Sequence, residues 1–536
     1  CRIILIMTLF DDRPCCKMDA VSASVMISLT GKLNKSEMAS FFAGRNLEDA
    51  TVSVSGAIVA QDTIVCSGNI FTHFAPGVVI SVFQDEGKPP ALCNLLVLES
   101  IDKVQEAVDL LSCQFGGNQI SFSPFADLEP VDQTSPAMFA ILRISNSDRT
   151  GTQPLVFTTN KSRPGENVTV ISSPFGVLCP SVFRNSICSG SITNYVNDMF
   201  ALIDTRYLPG TEGGTVINAD GLCVGLISLP LYLRLDSQLV VLPSMIPSRS
   251  ILQFLLKYDV LPGYIDNIIA DSSMPSLYEA SIRSLVCVYY QSSWASAIIL
   301  HRSGFLLTSG HLFANCRNSV PGTLLVQARL QSHNYLGNPF DSCNVDWVPA
   351  TVVRLFSGSW DIALLKIQCM RPVHGITEGV NVGNFSLKPG QPVSVLGFGL
   401  FRPPISKIPS PSLALMPTVT SGTLCKVVCL AGRGPVLLQS SAIVQQGCSG
   451  GMLLDRKTGK LIGLITSNLK HYCPVSRQTS IIPNMNFSIP IRIVCSLIDY
   501  INSRDNSILE ELDETCESIG KIWSLRGDNP TPHAKL

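Results

Sequence analysis

No CxxC pair and no Cys/His cluster at zinc spacing occurs in this sequence, although it holds 19 cysteines. The nearest approach, Cys425 and Cys429, is CxxxC, so a structural metal is not expected, and no cofactor is implied either. The cysteines sit instead in apolar segments such as TIVCSG, GLCVGL and IRIVCSL. Their odd number and scatter read as buried reduced thiols in a reducing compartment rather than a disulfide framework. Charge is scarce too, at 15% of residues with a formal net charge of -1, which gives no global attraction to nucleic acid or anionic membrane. Neither is expected as a partner. No uninterrupted apolar run reaches the roughly 18 residues of a bilayer-spanning helix. The opening CRIILIMTLFDD lacks the basic leader and small-residue cleavage site of a signal peptide, so residues 1–18 are set apart as an N-terminal extension with Met7 and Met18 as candidate starts. The sequons at Asn34, Asn160, Asn167, Asn384 and Asn486 would matter only in a secreted chain.

What is present is a long-period duplication. DTIVCSGNIF, from Asp62, is echoed by SGFLLTSGHLF, from Ser303; MFAILRI, from Met138, by DIALLKI, from Asp361; RPGENVTVISSPFG by KPGQPVSVLGFG. The order continues with ICSGSIT against PTVTSGTL, PGTEGG plus GLCVGLIS against QGCSGG plus GKLIGLITS, and MIPSRSILQFLL against SIPIRIVCSLIDYI, at offsets of about 223 to 243 residues. Matches in one order imply two homologous domains, 19–257 and 275–503, a linker over 258–274 and a tail over 504–536. Within each half, short Val/Ile/Leu-rich runs separated by Gly, Pro, Ser and Asn read as antiparallel strands, with helices expected near 247–257 and 490–503. Closed barrels would remove the exposed strand edges.

The second half carries the residue types of serine acyl transfer: a hydroxyl, a base, a carboxylate to orient the base, and donors for the oxyanion. His311 follows a strand in FLLTSGHLF, Asp361 opens DIALLKI, and Ser449 lies in GCSGG, where the Gly447 and Ser449 N–H groups are candidate oxyanion donors. Asp341 and Asp346 rival Asp361, but neither begins the expected apolar strand. His73, His301, His333, His374, His471 and His533 lack such surroundings and read as surface or satisfied residues. Candidate lining positions for the primary specificity pocket are Ile443, Thr466, Ser467 and Asn468; none is acidic, which favours a small or weakly polar substrate residue over Lys or Arg. In the first half the same positions hold Asn69, Met138 and Glu212. Asn cannot act as a general base, Met cannot orient one, and Glu212 lacks a supporting constellation.

These motifs resemble the trypsin-like serine proteases, and the PG-x-x-V…GFG, TVTSGTL and NFSIPI stretches resemble their HtrA-type branch. The resemblance implies an all-β fold of two tandem trypsin-like double β-barrel domains, the first degenerate, each ending in a helix. Leu312 stands where secreted members carry Cys after the catalytic His, and Cys448 where they carry Asp before the Ser. Trypsin-style activation by a freed N-terminus is therefore not expected. About 33 residues follow the last expected helix, too few for the PDZ module usual in HtrA proteins.

The sequence ends in Ala534, Lys535 and Leu536, a small residue, a base and Leu that resemble the SKL-type peroxisomal address. A duplicated trypsin-like chain with this ending is similar to the peroxisomal and glyoxysomal processing proteases. That resemblance implies a peroxisomal matrix endopeptidase that removes N-terminal leaders from imported precursors, cuts next to a cysteine and processes itself, with LLSCQFGGN around Cys113 as a candidate self-cleavage site. Its partners would be those precursors and the import receptor reading the C-terminus; oligomeric state is open, a homo-oligomer included. The competing functions are an HtrA-like quality-control protease and a noncatalytic binding protein of protease fold. The first half is expected to scaffold the second or help hold substrate.

Overall fold

The computed structural model describes residues 20–33, 50–83, 89–115, 120–122, 135–145, 153–196, 198–235, 238–261, 278–291, 293–316, 324–329, 345–368, 387–399, 417–473 and 478–524. The expected N-terminal extension, all but 258–261 of the expected linker, and Ala534, Lys535 and Leu536 lie outside them. The chain divides into two compact units, Cys1–Ser273 and Met274–Leu536.

Each unit holds two closed six-stranded antiparallel barrels. In the first unit the strands Ser24–Gly31, Ala50–Ala60, Thr63–Ser67, Val79–Phe83, Ala91–Ser100 and Met138–Ile144 form one, and those from Asn167–Ser172 to Ser244–Pro247 contribute the other. The second unit repeats this with strands from Leu285–Tyr290 to Ile362–Ile367 and from Pro392–Gly397 to Gln478–Pro490. Numbered along the chain within a barrel, all four close in the order 1-2-3-6-5-4. This is the expected all-β pair of double barrels. Closure removes the barrels' own strand edges, while Gln238–Leu242, Leu231–Leu235 and Ile120–Ser121 form a separate three-stranded sheet in the first unit.

The strands form because β-branched and other large apolar residues alternate toward each barrel axis. Val286, Val288, Ala297, Ile299, Leu306, Ala363 and Leu365 fill the third barrel; Val393, Val395, Leu424, Leu438, Leu453 and Ile462 fill the fourth. Each second barrel hands the chain to a helix through a proline. Pro247, at φ -61°, precedes Ser248–Lys257, and Pro490, at φ -64°, precedes Ile491–Ser503. The fixed φ of Pro pre-sets the helix entry, while its absent N–H leaves no donor unpaired.

Among the described residues, three α-helices of seven or more residues fall outside the sequence expectation. Asp102–Phe115 lies between two strands of the first barrel and buries Val104, Ala107, Val108 and Leu111. That i, i+3, i+4, i+7 spacing was visible in DKVQEAVDLL, but the second unit has no counterpart: there residues 356–361 make a short loop over the same interval. Asn506–Asp513 and Glu517–Trp523 follow the terminal helix of the second unit, burying Leu509, Leu512 and Ile519. The segment read as a tail is helical through most of its described part.

His311 lies on the 3-10 turn Gly310–Cys316, which is pinned into the third barrel by Phe313, fully buried with its ring 5.3 Å from that of Tyr290. Phe313→Ala should destabilise the second unit by about 3–5 kcal/mol, read as a lower midpoint in urea denaturation.

Candidate active site

Two loops of the third barrel bring His311 and Asp361 together. Strand Phe305–Ser309 delivers the Gly310–His311 turn and pairs with Ile362–Ile367, immediately after Asp361. Asp361 Oδ1 accepts from the His311 backbone N–H at 2.7 Å, and Oδ2 lies 2.5 Å from His311 Nδ1. Gly310 donates its N–H to the Asp361 carbonyl at 3.1 Å, and a Cβ at Gly310 would stand 3.1 Å from Asp361 Oδ1. The carboxylate therefore fixes both backbone and ring of the histidine. His311 and Asp361 remain 49% and 38% exposed at their side chains, so the pair faces solvent on one side.

Ser449 comes from the fourth barrel. Its loop turns through Gly447 at φ +96° and Gly450 at φ +82°, a region that glycine enters freely and other residues enter only with strain. Space imposes the same choice: a Cβ at Gly447 would lie 2.3 Å from the Phe398 carbonyl and against the Trp294 indole nitrogen, which donates to that carbonyl at 3.0 Å. The loop is tied to the third barrel by Ser296, a residue the sequence reading missed. Ser296 donates its hydroxyl to the Gly447 carbonyl at 2.7 Å, accepts from the Phe398 N–H at 2.8 Å, and donates its own N–H to the Ser449 carbonyl at 2.8 Å. Cys448 is buried beneath the loop as a member of the fourth core, its thiol pushed up by burial. Packing and a serine clamp thus occupy the place of an aspartate–N-terminus ion pair. The Ser449 hydroxyl donates to the Thr466 carbonyl at 2.8 Å.

Of the candidate pocket positions, Thr466 turns its own hydroxyl away, donating to the Phe487 carbonyl at 3.0 Å, and contributes its carbonyl near Ser449. The Asn468 amide donates to the Val444 carbonyl at 3.0 Å, and the Ile443 carbonyl accepts from Thr420. These bonds gather Ile443, Val444 and the middle of strand Leu461–Cys473, which carries Ser467 and Asn468, around the serine loop. Asp341 lies outside the described residues, and Asp346 lies within the paired strand Val345–Leu355. Among the described residues no group of three or more His, Cys, Asp or Glu side chains is placed to hold a metal. Cys66, Cys93, Cys223, Cys287 and Cys448 are buried free thiols. Cys113 lies on the last turn of the helix Asp102–Phe115, in helical rather than extended backbone.

The loop around Glu212 copies the loop around Ser449 bond for bond. Ser55 donates its hydroxyl to Gly210 at 2.7 Å and its N–H to Glu212 at 2.8 Å, while accepting from Ser173 at 2.8 Å. Gly210 and Gly213 have φ of +91° and +79°. Gly68 donates to the Met138 carbonyl as Gly310 does to that of Asp361. The side chains differ: the Asn69 amide oxygen accepts from the Ser135 N–H at 3.0 Å, and the half-buried Glu212 side chain folds back onto its own loop. Its Oε2 accepts from the Gly210 N–H at 2.8 Å and its Oε1 from the Tyr207 hydroxyl. Gly210 is the counterpart of Gly447, so the carboxylate of this loop occupies the loop's own backbone donor.

The trypsin-like peptidase domain profile matches residues 104–226 and 295–464, together more than half of the chain. The chain belongs to the trypsin-like peptidase family. Two curated relatives, from Mus musculus and Homo sapiens, both named peroxisomal leader peptide-processing protease, are similar to it. The mouse protein is 29% identical over 84% of this chain and 78% of its own; the human protein is 28% identical over 69% of this chain and 62% of its own. A solved structure described as "Crystal structure of Deg5" aligns with 42% of this chain and 93% of its own at 20% identity and a TM-score of 0.30, adding nothing to the barrel order above.

Within this trypsin-like chain Glu212 should leave a pH signature. Burial raises its pKa, with the Tyr207 and Gly210 hydrogen bonds opposing, and the neighbouring Tyr207 and Tyr232 hydroxyls are raised as well. The folded carboxyl keeps its proton over an interval where the unfolded one has released it, so stability falls as pH rises from the ordinary carboxylate range to the elevated pKa. Glu212→Gln should flatten that slope in thermal unfolding followed across pH.

Proposed function

We propose that the protein is a peroxisomal serine endopeptidase whose second unit removes N-terminal leaders from imported matrix precursors. The observation that carries this reading is the bidentate hold of Asp361 on His311, with Ser449 on a glycine-turned loop clamped to the same barrel. In that role His311 takes the Ser449 proton during attack and returns it to the leaving amine, while Asp361 stabilises the imidazolium. Attack requires the Ser449 hydroxyl to turn from the Thr466 carbonyl toward His311 Nε2, as catalytic hydrogen bonds commonly tighten only when substrate is bound. Gly447 and Ser449 supply the N–H donors to the developing oxyanion. The names of the relatives support the peroxisomal setting and the leader substrates.

The first unit keeps the loop geometry without a hydroxyl, a base or an orienting carboxylate at Glu212, Asn69 and Met138. We assign it a scaffolding or substrate-holding role. Cleavage beside cysteine suits a pocket lined by Ile443, Ser467 and Asn468 with no acidic side chain. Self-processing at Cys113 would require the last turn of its helix to open, because proteases bind extended chains.

The test incubates the purified protein with a leader-bearing precursor, the same precursor with its junction cysteine replaced, and denatured casein. Cutting confined to the first supports the proposal; cutting of casein alone points to quality control, and no cutting to a binding protein. Ser449→Ala should lower the rate on the order of 10⁴-fold or more. N-terminal sequencing of incubated wild-type chain should show a new end near Cys113, absent in Ser449→Ala.

A further inference from the structure

The loop 356–361 that presents Asp361 is held from outside its own barrel. Its base is closed by the Phe356 N–H on the Ile362 carbonyl at 3.3 Å and the Ile362 N–H on the Trp360 carbonyl at 3.0 Å. Its tip is held by the segment after the terminal helix. Asp513, the last residue of helix Asn506–Asp513, accepts from the Ser357 N–H at 2.6 Å and the Ser357 hydroxyl at 3.1 Å on Oδ1, and from the Arg354 guanidinium at 2.6 Å on Oδ2. Three residues on, Cys516 and Ser359 bond reciprocally: the Cys516 N–H donates to the Ser359 hydroxyl at 2.8 Å, and that hydroxyl is also 3.1 Å from the Cys516 carbonyl. Between them Gly358 packs so closely that a Cβ would stand 2.6 Å from the Asp513 carbonyl oxygen. The Arg492 guanidinium of the terminal helix lies 5.5 Å from the Trp360 ring, the residue adjoining Asp361.

We propose that the helical segment 505–524 is a positioning element for the catalytic pair, with Asp513 its principal positioning residue. It sets the backbone of Ser357–Trp360 and hence where the Asp361 carboxylate stands relative to His311. The inference rests on the proposed Ser449–His311–Asp361 chemistry. Hydrogen bonds within a loop this short transmit displacement directly, since only three residues separate Ser357 from Asp361. Catalytic geometry is intolerant of such shifts, a 1 Å error costing on the order of 100-fold.

The test measures how fast a fluorophosphonate probe labels Ser449 in the full chain, as a function of pH, which needs no knowledge of the natural substrate. Asp513→Ala should label about tenfold or more slowly, with the midpoint of its pH profile shifted to lower pH, because an imidazole that loses its carboxylate partner holds its proton less tightly. Asp513→Asn, whose amide oxygen still accepts from Ser357, should recover most of the rate. Gly358→Ala, which forces the Asp513 carbonyl away and changes no side-chain partner, should reproduce the Asp513→Ala behaviour and serves if that variant fails to fold. A wild-type rate, or a slower rate with an unmoved midpoint, in folded Asp513→Ala or Gly358→Ala overturns the positioning role alone. Wild-type protein that labels no better than Ser449→Ala overturns the triad chemistry and this inference together.

Discussion

A single buried serine in each unit joins its two barrels beneath the loop that carries Glu212 or Ser449. Ser296 uses its hydroxyl as both donor and acceptor, and its backbone N–H as a second donor, so that one residue of the third barrel sets the carbonyls of Gly447 and Ser449 and the N–H of Phe398. Removing the hydroxyl would leave a buried carbonyl and a buried N–H unpaired, at about 1–3 kcal/mol each. Gly450 closes the arrangement from the other side, since a Cβ there would meet the Ser296 carbonyl at 2.1 Å. His311 and Asp361 are arranged by the third barrel and Ser449 by the fourth. The site exists only as far as this seam holds.

The same seam explains why the Glu212 loop retains its shape. Ser55 makes the corresponding three bonds at the same lengths, and none of them involves the side chains at Asn69, Met138 or Glu212. Backbone and clamp therefore persist independently of the catalytic residue types. What replaces an ion pair behind the serine loop is burial, through Cys448 in the core and Trp294 against Gly447.

Much of this was legible in the sequence, and for a local reason. Positions such as GCSGG, SGHLF and DIALLKI combine a strand end with residues whose chemistry or φ is unusual, so type and spacing both carry information. The duplication fixed the equivalence of Asn69 with His311 and Glu212 with Ser449 before any geometry. Ser55 and Ser296 escaped notice because a serine in SGAIVA or SAIILH looks like an ordinary strand residue; its importance arises only when another barrel lies against it. The helix Asp102–Phe115 had the right periodicity but no partner in the repeat, which drew attention elsewhere. The bonds of Asp513 and Cys516 to the loop before Asp361 join residues about 157 positions apart, and nothing in the local pattern of DNSILEELDETC announces them.

Glu212 constrains what its loop can hold. Its carboxyl accepts from the Tyr207 hydroxyl and the Gly210 N–H at a half-buried position. Glu212→Ser would shorten the side chain, open a void and strand both donors, each at a cost of about 1–3 kcal/mol, while Asn69 and Met138 would still offer no base. A serine side chain here would be an unfavourable neighbour to the groups that Glu212 satisfies, so the loop keeps the shape of the Ser449 loop while resisting its hydroxyl.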